Sequence, residues 1–201
     1  MSRSRRVILV AMFAAFFVAS YVFVITNIFA MYGASIVIGV LTIPVTAILY
    51  RKEVASDFSA SLIYFIVLVA SLVAMIFLVS IIDPNWGRFI PGMFITPVLI
   101  EEFNFRYLLQ RFFLNRLSPY SAVFIQAIIY SVYYSRYLVS GPGFPFPYNI
   151  MLITSMLGMG LLYGLLSKIS KNFFLPATIH IALLSLLPWL PPAIASSILP
   201  A

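Results

Sequence analysis

The sequence contains no cysteine and only one histidine, His180. A chain without thiols has no disulfide, no thiolate nucleophile and no cysteine-ligated zinc site, and a single histidine excludes a multi-histidine metal site. We therefore expect chemistry without a metal or another cofactor.

Charged residues are also scarce. They make up 8% of the 201 residues, whereas 63% of the residues are hydrophobic; in soluble domains about a quarter of the residues are charged. This composition indicates an integral membrane protein, with the lipid bilayer as its first partner. The net charge of +7 is carried by cations in small groups at the ends of hydrophobic runs, not by a basic stripe with interleaved aromatic residues, so we predict no nucleic-acid partner.

Most of the hydrophobic runs are close to the ~20 residues that a helix needs to cross a bilayer. They cover residues 7–26, 31–50, 59–82, 89–110, 119–139, 149–167 and 172–187. The predicted fold class is all-α, a polytopic transmembrane helix bundle with about seven spans and a short C-terminal segment. Within this one membrane domain we distinguish N-terminal transmembrane helices (1–88), a core (89–190) and the segment 191–201, which is too short to cross alone.

The cations outside the fourth run are distributed unevenly between the two sides of this bundle. One side holds nine of them and the other side holds Arg88 and Arg136, which falls beside an outer loop rich in proline, glycine and aromatic residues (140–149). Cytoplasmic loops carry the excess of lysine and arginine in membrane proteins. We therefore predict a cytoplasmic N-terminus, with the cell membrane as the location.

Three charges lie inside the fourth hydrophobic run: Glu101, Glu102 and Arg106. Intramembrane charges are rare and face a partner or a wet cavity, so they mark functional sites. Glu102 and Arg106 are four residues apart, the spacing at which a carboxylate meets a guanidinium on a helix, whereas Glu101 points about 100° away. We predict a Glu102–Arg106 pair and a free Glu101. The alternative is a purely structural ion pair with a protonated second glutamate.

The depth of His180 suggests a shared cavity with Glu101. Glu101 lies ten residues before Arg111, and His180 lies nine residues after Lys171. At 1.5 Å per residue both positions are roughly 14–15 Å from the basic ends of their runs, near the bilayer midplane. A free carboxylate and an imidazole near an arginine can activate water and stabilise an oxyanion. The alternative reading of His180 is a packing residue.

The segment "EEFNFR" (101–106) fits the EExxxR motif of the CAAX protease and bacteriocin-processing (CPBP) family of glutamate intramembrane endopeptidases. The order of motif helix, basic turn, glycine-rich helix and histidine helix over residues 91–187 is similar to that family. The resemblance implies cleavage of peptide bonds near the membrane surface, including prenylated C-terminal tails in some members. It also implies that Glu101 activates water, that Glu102 and Arg106 support it, and that His180 is the histidine of the third motif.

Two positions depart from the family pattern. Tyr134, in "YSVYY", stands where the second motif has a histidine, and Leu184, in "HIALL", replaces the asparagine of the third. Tyr134 either donates a hydrogen bond to an oxyanion or lies at the interface, because it is roughly 22 Å from Pro119 along a straight helix. Gln126 and Tyr130 share its helical face and form either a second set of hydrogen-bonding groups or an aromatic packing stripe.

Three functions follow from these patterns. The first is an intramembrane endopeptidase that acts on peptide or protein substrates at the membrane with Glu101, Glu102, Arg106, His180 and Tyr134 as its site residues. The second is a catalytically degenerate pseudoprotease that binds membrane segments or lipidated tails. The third is a small transporter or proton pathway, although the sequence lacks the paired broken helices and the inverted repeat that are typical of transporters.

Overall fold

The computed structural model describes residues 3–26, 29–138, 147–186 and 189. All secondary structure in these ranges is helical, which confirms the all-α class. The α-helices are α1 (Arg3–Thr26), α2 (Phe29–Leu49), α3 (Arg51–Ala60), α4 (Leu62–Ile82), α5 (Pro84–Met93), α6 (Ile100–Glu102), α7 (Gln110–Leu114), α8 (Pro119–Tyr134), α9 (Tyr148–Ser170) and α10 (Phe174–Leu186). Most of the predicted outer loop 140–149, and all of 191–201, lie outside the described residues.

Three of the described helices are long and apolar enough to cross a membrane: Val7–Thr26, Leu62–Ile82 and Asn149–Ser170. A fourth candidate is the pair Gly33–Leu49 and Arg51–Ala60, whose two helices are bent by 102° relative to each other. The structure therefore supports a polytopic helical protein with three or four candidate spans by length and composition. The count of seven spans stays a prediction, as does the division of the domain after residue 88.

Side-chain contacts connect the polar helix α3 to α7 and to the residues that precede α7. Asp57 on α3 accepts a hydrogen bond from the Tyr107 hydroxyl at 3.0 Å and pairs with the guanidinium of Arg111. These contacts bridge residues 50 and 54 positions apart in the sequence. The bend after α2 thus leads into a short helix that is tied to the end of the helix that carries EExxxR.

The run 89–110, predicted as one span, is divided in the structure. Thr96 has extended backbone angles (φ −134°, ψ 111°) between two helical stretches. The cause is Pro97, since the proline ring clashes with a helical conformation at the preceding residue. The break separates α5 from a second stretch, here called the motif helix (residues 97–114), which contains α6, a π-helical segment (Phe103–Leu109) and α7. Hydrophobicity alone cannot reveal this break, because both sides of it are apolar.

Three helices follow the motif helix in the chain: α8, α9 and α10. Consecutive helices of this group are joined by short connections or pack directly against each other. Ser118 caps α8 by accepting a hydrogen bond from the Ser121 amide at 3.2 Å. A Cβ atom added to Gly160 on α9 would lie 2.9 Å from Ala127 Cα on α8, so the two backbones approach closely there, as small residues at a helix–helix interface allow. Asn172 caps α10 by accepting a hydrogen bond from the Phe174 amide at 2.9 Å.

Cysteine labelling tests the predicted topology, and the natural chain adds no background because it has no cysteine. Ser56 on α3 and Asn85 on α5 are both exposed and flank α4, a candidate span. Single cysteines at these positions are expected to react with a membrane-impermeant maleimide from opposite sides, with Ser56 on the cytoplasmic side. Reaction of both from one side would contradict the assignment of α4 as a span.

Candidate functional site

The three charges of the motif helix are buried in the bundle. The exposed fraction is 2% for Glu101, 0% for Glu102 and 2% for Arg106. Buried charges are costly unless they are paired or hydrogen-bonded, so the partners of each group define what the site can do. The two neighbouring carboxylates have separate sets of partners, because their side chains leave the helix in different directions.

Glu102 binds a cation within its own helix and the histidine of another helix. Its Oε2 atom is 3.2 Å from Arg106 Nε, and its Oε1 atom is 2.8 Å from His180 Nδ1 on α10. The ion pair predicted from the four-residue spacing is thus present. The depth argument correctly brings His180 to the carboxylates, but the hydrogen bond goes to Glu102 and not to Glu101.

Aromatic rings enclose this group of charges. The His180 ring stacks on Tyr163 of α9, with centroids 5.0 Å apart and an angle of 23° between the planes. The Arg106 guanidinium carbon lies 4.4 Å from the centroid of the Tyr130 ring and 5.5 Å from that of Tyr163. Cation–π contacts of this kind stabilise a guanidinium that is removed from water. Arg106 is therefore held between α8 and α9.

Glu101 binds to α8 instead. The Tyr134 hydroxyl donates a hydrogen bond to Glu101 Oε2 at 2.6 Å, and the Tyr130 hydroxyl lies 3.4 Å from the same oxygen. Tyr134 is 8% exposed, so it is not the interfacial aromatic that its distance from Pro119 allowed. The reason is the antiparallel pairing of the motif helix with α8, which brings the beginning of one helix against the end of the other.

Arg136 is a site residue that the sequence analysis did not identify, because it was interpreted only as a marker of the outer side. It lies in the 3₁₀ turn Ser135–Leu138 and is 5% exposed. Its Nη2 atom is 4.0 Å from Glu101 Oε1, and its guanidinium carbon lies 3.4 Å from the centroid of the Tyr133 ring. Both oxygens of Glu101 therefore face side chains from the end of α8 and the turn that follows. The tyrosines on either side of Arg136 are the sequence feature that could have indicated its place in the site.

Leu184 and Gln126 do not supply hydrogen bonds to the carboxylates. Leu184 packs with Leu68, Val79 and Ile181 in a hydrophobic cluster between α4 and α10, so this position serves packing where the family pattern has an amide. Gln126 is fully buried, and neither atom of its amide has a hydrogen-bonding partner among the described residues. Of the two predicted roles for this face of α8, hydrogen bonding to Glu101 is made by Tyr134 and not by Gln126.

The described ranges contain no group of three or more histidine, aspartate and glutamate side chains arranged to hold a metal ion. The groups that do converge are two carboxylates, two guanidinium groups, an imidazole and two phenols. Such a set can bind and polarise a water molecule and a carbonyl group, since it combines proton acceptors with charged and neutral donors. Metal-free chemistry stays a prediction.

Comparison with known proteins identifies the family. The family model described as "Type II CAAX prenyl endopeptidase Rce1-like" matches residues 63–185, more than half of the chain. This match includes the motif helix, α8, α9 and His180. The comparisons with curated proteins and with solved structures gave no significant match. With its long apolar helices, the chain is an integral membrane protein that belongs to the Rce1-like family of type II CAAX prenyl endopeptidases.

Proposed function

We propose that the protein hydrolyses peptide bonds at the membrane with a water molecule activated by Glu101. Membership of the family supports a CAAX-type intramembrane protease in general. The observation that carries the proposal is the arrangement around Glu101: a buried carboxylate held by the Tyr134 hydroxyl at 2.6 Å, with Arg136 at 4.0 Å from its other oxygen. A general base has to be held in place within hydrogen-bonding reach of the water that it deprotonates.

In this mechanism Glu101 takes a proton from water while the water oxygen attacks the carbonyl carbon of the scissile bond. The negative charge that develops on the carbonyl oxygen needs donors in a dry site. Arg136 is suited to this, since its Nε and Nη1 atoms have no hydrogen-bonding partner among the described residues and the side chain is buried beside Glu101. Collapse of the tetrahedral intermediate then breaks the carbon–nitrogen bond, and the leaving amine takes up a proton.

His180 is the candidate for proton transfer to that amine. Glu102 Oε1 accepts a hydrogen bond from His180 Nδ1 at 2.8 Å, which leaves Nε2 for exchange with the reacting groups. A carboxylate that fixes the tautomer and orientation of a histidine is a recurring device in hydrolases. Arg106 balances the charge of Glu102, so we assign Glu102 and Arg106 as positioning residues for His180.

The second candidate function is binding of a peptide or lipidated tail without cleavage. One observation favours it: the group hydrogen-bonded to Glu101 is a tyrosine, and a tyrosine side chain does not exchange its proton near neutral pH as a histidine can. In this alternative the same charges serve packing and recognition. The sequence-based option of a transporter gains no further support.

An assay with purified protein and a library of membrane-embedded and tail-anchored peptides tests the proposal. The variant Tyr134→Phe removes only the hydroxyl that binds Glu101. Hydrogen bonds to charged groups contribute about 1.5–3 kcal/mol, so we expect kcat/KM to fall about tenfold to a hundredfold.

The matched control is Tyr133→Phe, since the Tyr133 hydroxyl points to Ser20 at 3.5 Å and not to Glu101. This variant is expected to cleave like the natural protein. If folded natural protein binds the peptides but cleaves none of them, the binding function replaces the peptidase. If it cleaves and both tyrosine variants are unaffected, the assignment of Tyr134 to the site is wrong.

A further inference from the structure

A second group of buried polar atoms lies beside the carboxylates. It comprises the outer nitrogens of Arg106, whose Nε atom pairs with Glu102, and three side chains that have no role in the proposed reaction. We call it the polar cluster: Gln110 of α7, Gln126 of α8, Tyr163 of α9 and the outer nitrogens of Arg106. Their exposed fractions range from 0% to 2%. The cluster therefore joins three helices at a place that is sealed from the outside of the bundle.

The members of the cluster retain unused hydrogen-bonding capacity. Among the described residues, no hydrogen-bonding partner is found for Arg106 Nη1 and Nη2, Gln110 Oε1, both amide atoms of Gln126 or the Tyr163 hydroxyl. Burying a polar group without a partner costs about 1–3 kcal/mol, and more for a charged group. Several such groups at one place would be strongly destabilising, so they point to a small polar ligand that they share.

The side chains of Gln110 and Gln126 both approach Gly164 on α9. A Cβ atom added there would lie 2.9 Å from Gln126 Oε1 and 3.4 Å from Gln110 Oε1. The Gln110 amide nitrogen also donates to the Gly164 carbonyl at 2.9 Å. Tyr163, the preceding residue, lies against the Arg106 guanidinium. The two glutamine oxygens thus lie at Gly164, and the Arg106 guanidinium lies against the ring of the residue before it.

Water is the ligand that matches this set. Buried water molecules make about three hydrogen bonds each and occupy polar places that need both donors and acceptors. An anion is disfavoured because the two carbonyl oxygens would repel it. A metal cation is disfavoured because the guanidinium would repel it. A larger neutral ligand is disfavoured because the Gln126 and Gln110 oxygens already approach the face of Gly164 closely.

We propose that Arg106, Gln110, Gln126 and Tyr163 hold ordered water beside the Glu102–Arg106 pair. Its existence does not depend on catalysis. Its role rests on the proposed function: hydrolysis consumes one water molecule for each bond cleaved, and water stored next to Arg106 supplies the carboxylate site without opening the bundle to lipid.

Radiolytic footprinting of the purified full chain tests this proposal without substrate. A short X-ray pulse generates hydroxyl radicals from water molecules where they are bound, and mass spectrometry then measures the oxidation of each tyrosine. Tyr163 is 0% exposed and Tyr133, which lies among aromatic rings, is 3% exposed. Bound water predicts several-fold faster oxidation of Tyr163, whereas exposure alone predicts the reverse order. Oxidation of Tyr163 at or below the rate of Tyr133 would overturn the proposal.

Two variants test whether the polar cluster is responsible for the oxidation of Tyr163. Gln126→Leu removes both amide atoms with little change in volume and is expected to reduce the oxidation of Tyr163 several-fold without changing that of Tyr133. Gly158→Ala is the control on the α9 helix, because its new methyl group meets nothing within 4 Å.

Unchanged oxidation of Tyr163 in folded Gln126→Leu protein would also refute the proposal. If that variant does not fold, the comparison within the natural protein decides. Loss of peptidase activity alone would leave this measurement intact, so the two proposals fail separately.

Discussion

Peptide cleavage by the Glu101→Gln variant is expected to fall by about 10²–10⁴-fold, the contribution of a positioned general base. Glutamine has the same size as glutamate, and its oxygen still accepts the hydrogen bond that Tyr134 donates at 2.6 Å. What it lacks is the ability to take a proton from water. The fold is therefore expected to persist while the chemical step is lost, which appears as a lower kcat with peptide binding retained.

The control for this prediction is Glu53→Gln, which removes an exposed carboxylate on α3 and is expected to leave the rate unchanged. Both variants are compared with the natural protein in the same detergent, with binding of a fluorescent peptide measured separately from cleavage. Equal cleavage by natural protein and Glu101→Gln would show that another group activates water or that a contaminant cleaves the peptide.

The variant Arg106→Gln is expected to reduce the free energy of unfolding by about 3–5 kcal/mol, as when one partner of a buried ion pair is removed. The reason is the environment of Glu102, which is completely buried with Arg106 Nε at 3.2 Å as its cationic partner in the same helix. Without the guanidinium, the carboxylate keeps its contact with His180 but loses its permanent countercharge. Thermal unfolding in detergent measures the change.

Arg116→Gln is the matched control, since Arg116 is exposed just beyond the motif helix, and it should change stability little. The double variant Glu102→Gln with Arg106→Gln removes both charges and is expected to recover part of the loss, because no buried charge is left without its partner. Equal destabilisation by Arg106→Gln and Arg116→Gln would mean that the ion pair does not hold the fold.

Local patterns predicted much of the fold. The helical class follows from the length and apolar character of the runs, and the Glu102–Arg106 pair follows from its spacing within one helix. The break at Thr96 was missed, although proline at position 97 is a readable signal, since a continuous apolar run hides a change in backbone direction. The end of the second apolar run at residue 50 was readable, but the bend of 102° into α3 was not, because the partner of Asp57 on α7 lies 54 residues away in the sequence.

The partners of Glu101 were accessible to a simple argument about hairpins. Two antiparallel helices joined by a short turn pair residues at equal distances from that turn, and Phe105 indeed lies against Tyr130, with ring centroids 5.0 Å apart. The same register brings Glu101 opposite Tyr134. Measuring depth from the membrane surface along each helix separately concealed this pairing. It also left Arg136 out of the site, because a cation at the end of a span is normally a marker of topology.

No local sequence pattern predicts which of the two glutamates binds His180. The two residues of that hydrogen bond are 78 positions apart, and depth alone brings the histidine near both glutamates. Only the packing of α10 against the other helices, fixed in part by Tyr163 under the imidazole ring, selects Glu102.

These sequence separations also set an order of events when the protein is made. Arg106 is available to Glu102 as soon as the motif helix leaves the ribosome, whereas Tyr134 follows Glu101 by 33 residues and His180 follows Glu102 by 78. Until α8 is synthesised, Glu101 enters the bilayer without its partners, at a cost of about 2.5–3.5 kcal/mol if it is ionised at the centre of the membrane. If the motif helix spans the membrane as the sequence predicts, we expect it to be only marginally inserted until α8 is made and the two helices pair.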